Sequence, residues 1–331
     1  VSAPGTVCVI GAGIAGLACA RRLQEGGLSV TVFEKARGPS GRMSTRRSEG
    51  GLQFDHGAQY FTAQGPSFSA AVERWVQGGH TGLWSGRFGT LRDGRFEASD
   101  LAPRFVGTPR MSALGRHLAG GLSVRTQTRV VAAQRLRAGW RLVDAGGASL
   151  GPFDQLVVAV PAPQAVPLLQ ASPELQAVAA AAEMVPCQAL MLRFEDPPRL
   201  PFEGARVVDD VVAWIAHDSS KPGRPTPGCW VVHGTPMDCA RHLEEPLDQI
   251  ATRLARRFRA LTGVEASPAH AIAHRWRYAR PAADRVPGSG CRLDPDLRVG
   301  VCGDWLVGAR VEGAWLSGRA LADRILDPEG P

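Results

Sequence analysis

Three glycines set the first chemical possibility. Gly11, Gly13 and Gly16 form G-x-G-x-x-G between the apolar run Val7-Cys8-Val9-Ile10 and a helical pattern that continues through Leu23. A strand that turns sharply into a helix presents unpaired backbone N–H groups and the positive end of the helix dipole, which together suit a pyrophosphate. In that geometry Gly11 permits the turn, Gly13 admits phosphate against bare backbone, and Gly16 lets helix and strand touch, with Ala15 beside them in the same cofactor-binding turn. A second apolar run, Leu28 to Phe33, ends in Glu34. A carboxylate there accepts a hydrogen bond from a ribose 2′-OH and repels a 2′-phosphate, so a dinucleotide without that phosphate is expected, NAD or FAD alike.

The scaffold that must hold these groups has the composition of a globular protein. With 331 residues, 44% hydrophobic and 21% charged, it can bury one large core or two ordinary ones. The 39 Gly and 25 Pro show no period, which excludes collagen and solenoid repeats. Lys+Arg 38 against Asp+Glu 31 gives a net charge of +7. The excess is spread along the chain and fits a polyanionic small molecule rather than a nucleic acid. Leu247, Ile250, Leu254, Phe258 and Leu261 predict an amphipathic helix whose Arg253, Arg256, Arg257 and Arg259 form a solvated face.

Seven cysteines, odd in number and without C-x-x-C, read as buried free thiols in a reducing, cytoplasmic setting. Val7 to Ala20 imitates a targeting signal but carries three glycines and no preceding basic residue, so strand, turn and helix is the better reading. No apolar run reaches the length of a membrane span. His270 and His274 sit in a strand-like pattern without a third ligand, and no metal is expected.

The segment after Glu34, Lys35-Ala36-Arg37-Gly38-Pro39-Ser40-Gly41-Arg42-Met43, resembles the E-x5-6-G-G-R loop of the flavin amine oxidase superfamily, with Ser40 where the first Gly usually stands. Phe54-Asp55-His56-Gly57-Ala58-Gln59-Tyr60-Phe61 is similar to the G-A-Q-Y segment of the renalase branch, bacterial members above all. Thr108-Pro-Arg-Met, Trp214-Ile-Ala-His-Asp-Ser-Ser-Lys221-Pro-Gly-Arg, His274-Arg-Trp276-Arg277-Tyr278 and the terminal Val301-Cys-Gly303-Asp304 with Val311-Glu312-Gly313-Ala314 extend the match over nearly the whole chain.

The resemblance implies an α/β fold: an FAD-binding Rossmann-like domain of the p-hydroxybenzoate hydroxylase and amine oxidase topology, plus a mixed-sheet substrate domain. Residues 1–63, 108–163 and 271–331 are expected in the first, 64–107 and 164–270 in the second, with Pro161-Ala-Pro163 at a crossover. It implies non-covalent FAD, Arg42 on the diphosphate, Val130 at the adenine end, and Lys35, Met43, Gln59, Tyr60, Asp304, Val311, Glu312 and Gly313 as further cofactor contacts. His56 would lie beside the flavin as a packed imidazole. Strands are expected at 124–133, 140–143, 155–160 and 297–301. Glu312-Gly313 would precede a helix from Ala314 to Ile325, whose dipole favours an anionic reduced flavin.

Only two lysines exist, Lys35 and Lys221, and only two tyrosines, Tyr60 and Tyr278. Amine oxidases of the superfamily place a lysine on a strand that aligns with Pro186 to Phe194, where this chain has Cys187 and Gln188. Simple amine oxidation is therefore disfavoured. The renalase-like alternative is oxidation of 2- or 6-dihydro isomers of NAD(P)H, with hydride passing to flavin N5 and O2 becoming H2O2. Losing hydride from such a ring gives a pyridinium directly, so no catalytic acid or base is assigned. Tyr60, Trp214, Trp276 and Arg277 are the expected substrate contacts. An oxidase of another small amine or cyclic compound, and a non-catalytic dinucleotide-binding module, are the alternatives. A disulfide reductase would need a redox dithiol and a second dinucleotide fold. An aromatic hydroxylase would need Asp-Gly near Ala159-Val160-Pro161.

Overall fold

The structure is a computed structural model that describes residues 5–99, 102–282 and 290–327. Two compact units emerge from it. One comprises Val1–Arg42, Gly115–Met184 and Arg280–Pro331, the other Met43–Leu114 and Val185–Ala279.

The first unit is built on a six-stranded sheet, in the order Cys291–Asp294, Val299–Cys302, Gln155–Val158, Thr6–Ile10, Ser29–Phe33, Ser123–Arg125. All neighbours are parallel except the Cys291–Asp294 edge. Parallel strands are covered on both faces, which explains why Val7 to Ile10 and Leu156 to Val158 read as unbroken apolar runs and are buried throughout. The helix Ile14–Glu25 and the helix Val311–Leu326 pack against each other closely enough that a Cβ on Gly318 would overlap the Ala15 carbonyl oxygen. A smaller antiparallel sheet, Val130–Leu136, Gly139–Asp144 and Ser149–Phe153, completes the unit.

The second unit carries a seven-stranded mixed sheet in the order His270–Pro281, Met184–Arg193, Cys229–Gly234, Val212–His217, Gly204–Val208, Phe88–Arg92, Arg95–Ala98. The helix Leu247–Thr262 lies on it as the apolar spacing predicts: Ile250, Leu254, Phe258 and Leu261 join a core with Leu190, Leu192, Ile215 and Trp230. Each such side chain contributes roughly 1.5–3 kcal/mol when fully buried. Its arginines are a solvated, ion-paired face, with Arg257 on Asp209 and Arg253 on Asp238 and Glu245. Among the described residues no helix is long and apolar enough to cross a membrane.

Several expected boundaries move. Residues 43–63, 108–114 and 271–279 belong with the second unit, where Phe54 packs on Met191, Cys229 and Val231, Asp55 pairs with Arg224, and the strand His270–Pro281 edges the sheet. Residues 164–184 stay with the first, because Ala165, Leu168, Leu169, Leu175 and Ala179 fill its core beside Leu156 and Trp140. Pro161-Ala-Pro163 opens a short helix, Ala162–Ala165, and the chain crosses over only at Met184. The strand expected over 124–133 is two strands, broken where Gln127 takes a φ of 55°.

Candidate functional site

In the first unit the strands Thr6–Ile10, Ser29–Phe33, Gln155–Val158 and Val299–Cys302 end at one edge of the sheet, the edge at which open α/β sheets bind ligands. Gly11, Glu34, Ala159 and Gly303 follow directly. Gly11 has a φ of 107°, and a Cβ on it would stand 2.6 Å from the Ala159 carbonyl oxygen. A Cβ on Gly16 would overlap the Gly11 carbonyl oxygen, while one on Gly13 would meet nothing within 4 Å. Gly13 caps the helix Ile14–Glu25 without any side-chain hydrogen bond, and no acidic residue lies in the first turn. The N–H groups of that turn therefore keep their capacity for an external anion, and the open side of Gly13 gives it room.

Glu34 is buried, and its two carboxylate oxygens accept from the backbone N–H groups of Ala12 at 2.9 Å and Ala36 at 2.8 Å. Each oxygen retains a lone pair, so the group can still take a ribose hydroxyl. Arg42 follows in the short 3-10 turn Gly41–Met43 and donates Nη1 and Nη2 to the two oxygens of Asp304, at 2.7 and 2.6 Å. Asp304 accepts one of these bonds on each oxygen and, like Glu34, keeps lone pairs for a ligand hydroxyl. It orients Arg42, whose side chain stays 29% exposed. Lys35 turns aside to Gln164 at 3.3 Å, with burial pulling its pKa down. Val130 is buried at the start of its strand.

The last helix begins at Val311, three residues earlier than expected, so Glu312 and Gly313 sit in its first turn. Gly313 adds no side chain to that turn. Its Cβ position lies 3.2 Å from the Gly308 carbonyl oxygen. The donors, the bare glycine turn and the Glu34 acceptor in this unit fit an adenine dinucleotide.

In the second unit Tyr60 and Trp214 come together as predicted, their ring centroids 5.6 Å apart, and Trp84 joins them at 6.3 Å from Tyr60. Trp276 lies in a different cluster, 4.9 Å from His56 and 4.5 Å from His274, with its indole N–H donating to the His56 carbonyl at 3.0 Å. Arg277 joins neither. Side chains alternate along the strand His270–Pro281, and Arg277 reaches the surface, where it pairs with Glu244. Its expected substrate contact thus lies apart from the two ring clusters. Met43 is buried, and Gln59 donates to the Gly57 and Asp55 carbonyls and accepts from Lys221 Nζ at 3.2 Å.

Sequence reading missed the buried ionic cluster behind Gln59. Lys221, whose side chain is wholly buried, donates to Asp218 at 2.6 Å and lies 3.7 Å from Asp55, which also pairs with Arg224. Burial pushes the Asp55 carboxyl upward, but Lys221 and Arg224 together outweigh it and hold its pKa below the usual range. Asp218 goes the other way, raised by burial and by Asp55 beside it. The signal was present: Asp218-Ser-Ser-Lys221-Pro-Gly-Arg224 puts both signs of charge, including one of only two lysines, into one short loop. The imidazoles nearby are neutral. Burial lowers His56 to about 3, and His233 and His274 to about 4.

Comparison with known families agrees with this architecture. Residues 9–75 match the NAD(P)-binding Rossmann-like domain, and residues 73–326 match the flavin containing amine oxidoreductase family. The fold is similar to the crystal structure of a "putative protoporphyrinogen oxidase" from Exiguobacterium sp. 255-15, with a TM-score of 0.77 at 14% identity over 99% of this chain and 100% of that one. The glycine turn, the mixed-sheet unit and the family match over most of the sequence lead to one conclusion: the chain belongs to the flavin containing amine oxidoreductases and is an FAD-dependent oxidoreductase.

Proposed function

We propose that this oxidoreductase is a renalase-like oxidase that converts 2- or 6-dihydro isomers of NAD(P)H to NAD(P)+. Bound FAD supplies a hydride acceptor that O2 can reoxidise to give H2O2. In this reading Gly11, Gly13 and Gly16 receive the diphosphate, with Ala15 in the same turn; Arg42, aimed by Asp304, contacts it as well. Glu34 takes a ribose hydroxyl, and Val130 borders the adenine. Lys35, Met43, Gln59, Tyr60, Val311, Glu312 and Gly313 complete the proposed cofactor set. Tyr60 and Trp214 stack a planar substrate, and Trp276 lines the His56 side.

The observation that carries the proposal is the lack of an effective proton acceptor around these rings among the described residues. Asp55 and Asp218 are locked to Lys221 and Arg224. Imidazoles with pKa values near 3 and 4 are weak bases. Neither lysine stands free: Lys35 is held by Gln164 and Lys221 by Asp218 and Gln59. A donor that yields a pyridinium on losing hydride needs none of these groups.

Anaerobic mixing tests the reading. A 2- or 6-dihydro isomer should bleach the flavin absorbance within seconds, and benzylamine or ordinary 4-dihydro-NADH should not. Rapid bleaching by an amine with none by the isomers would replace the proposal with amine oxidation.

A further inference from the structure

Among the described residues Arg104 is a buried cation without a counter-charge. The residue is 5% exposed. Its Nε has no hydrogen-bond partner, and it forms no ion pair among the described residues. The guanidinium lies 4.0 Å from the Phe88 centroid and 5.0 Å from that of Tyr60. Ring quadrupoles attract a cation, but they do not replace the hydration that burial removes. The neighbouring Lys221 shows how this unit satisfies a buried charge when the charge is structural: Asp218 stands at 2.6 Å and Gln59 at 3.2 Å.

A second orphan flanks the same ring. The Trp214 indole N–H is buried and unpartnered, and its ring lies 5.6 Å from Tyr60, whereas the Trp84 N–H is satisfied by Ser220 at 2.8 Å. Arginine and tryptophan side chains are donors only. Two unsatisfied donors, one of them charged, therefore border a half-buried tyrosine face with no acceptor to meet them.

We propose that Arg104 and Trp214 form an oxyanion subsite beside Tyr60, which recognises a carboxylate or phosphate oxygen on a planar substrate stacked on that ring. A guanidinium suits either group, since both offer paired oxygens to its fork of N–H donors. The subsite goes beyond the assignment of the hydride donor and does not depend on it.

Calorimetric titration of the FAD-loaded protein with nicotinate, inorganic phosphate and uncharged nicotinamide tests it. At least one anion is expected to bind more tightly than nicotinamide. A nicotinate response assigns the oxyanion to a ring carboxylate, and a phosphate response assigns it to a phosphoryl group. Arg104→Met should weaken that anion at least tenfold and leave nicotinamide unchanged, Arg104→Lys should recover part of the loss, and Trp214→Phe should weaken the anion a few-fold. Melting separates the role from simple packing: Arg104→Met should melt no lower than the parent, because it removes an uncompensated charge. Anions that bind no better than nicotinamide, or that bind Arg104→Met or both milder variants as tightly as the parent, would overturn the subsite, as would a large fall in melting temperature for Arg104→Met.

Discussion

Arg42 and Asp304 lie 262 positions apart in the chain and meet through two parallel hydrogen bonds, Nη1 to one carboxylate oxygen at 2.7 Å and Nη2 to the other at 2.6 Å. The pair ties the turn after the second strand to the turn after the strand Val299–Cys302. Arg42→Ala leaves a carboxylate that is only 8% exposed without its cation. That should cost about 1–3 kcal/mol of stability and yield protein with little flavin. Visible flavin absorbance relative to protein absorbance, together with a urea midpoint, checks both effects, and normal flavin content would remove Arg42 from the cofactor site.

The glycines of the turn should separate under substitution. Gly13→Ala has open space on the protein side and should fold normally while binding FAD at least tenfold more weakly. Gly16→Ala forces a Cβ into the Gly11 carbonyl and should lose stability even without cofactor. Urea unfolding of the flavin-free proteins and FAD titration of each variant distinguish the two. Equal FAD affinity for Gly13→Ala and the parent would show that no phosphate approaches that backbone.

Lys221→Met should be among the more damaging substitutions in the second unit. Removing one member of a buried ion cluster typically costs about 3–5 kcal/mol, and here it leaves Asp55 and Asp218 facing one guanidinium. Arg277→Met breaks only an exposed pair and should leave the unfolding free energy nearly unchanged. Denaturant curves for the two variants give the ratio directly.

The imidazole cluster predicts an acid-sensitive fold. His56 titrates at about 3 and His233 and His274 at about 4 in the folded protein, against about 6.5 in an unfolded chain. Between those values the unfolded chain binds more protons, so stability falls as the pH drops below about 6.5, by up to about 1.4 kcal/mol per pH unit for each histidine. Above neutrality these groups contribute no slope. Urea unfolding at about pH 7.5 and about pH 5 measures the loss, and His274→Asn should shrink it; an unchanged slope would show that His274 stays charged.

The parts of this molecule that repeat a local physical rule were readable in advance. The glycine turn, its flanking strands and the 3.6-residue period of Leu247–Thr262 depend on neighbours in sequence, and they fold where those neighbours dictate. Contacts made across long sequence distances were not readable. Asp304 was expected as a cofactor contact, but its pairing with Arg42, from a distant part of the chain, was not foreseen. Trp84 and Arg104 carried no motif, because their meaning lies only in what surrounds them. The domain edges moved for a related reason: Phe54 and Leu168 are equally apolar in sequence, and only tertiary packing decides which core each one fills.

The abutment of Gly318 on Ala15 joins two helices that lie far apart in the sequence. A ribosome releases the glycine turn before the helix that braces it, so the nascent turn stays unsupported until Val311–Leu326 has emerged. Tight capture of the dinucleotide therefore waits on that later helix.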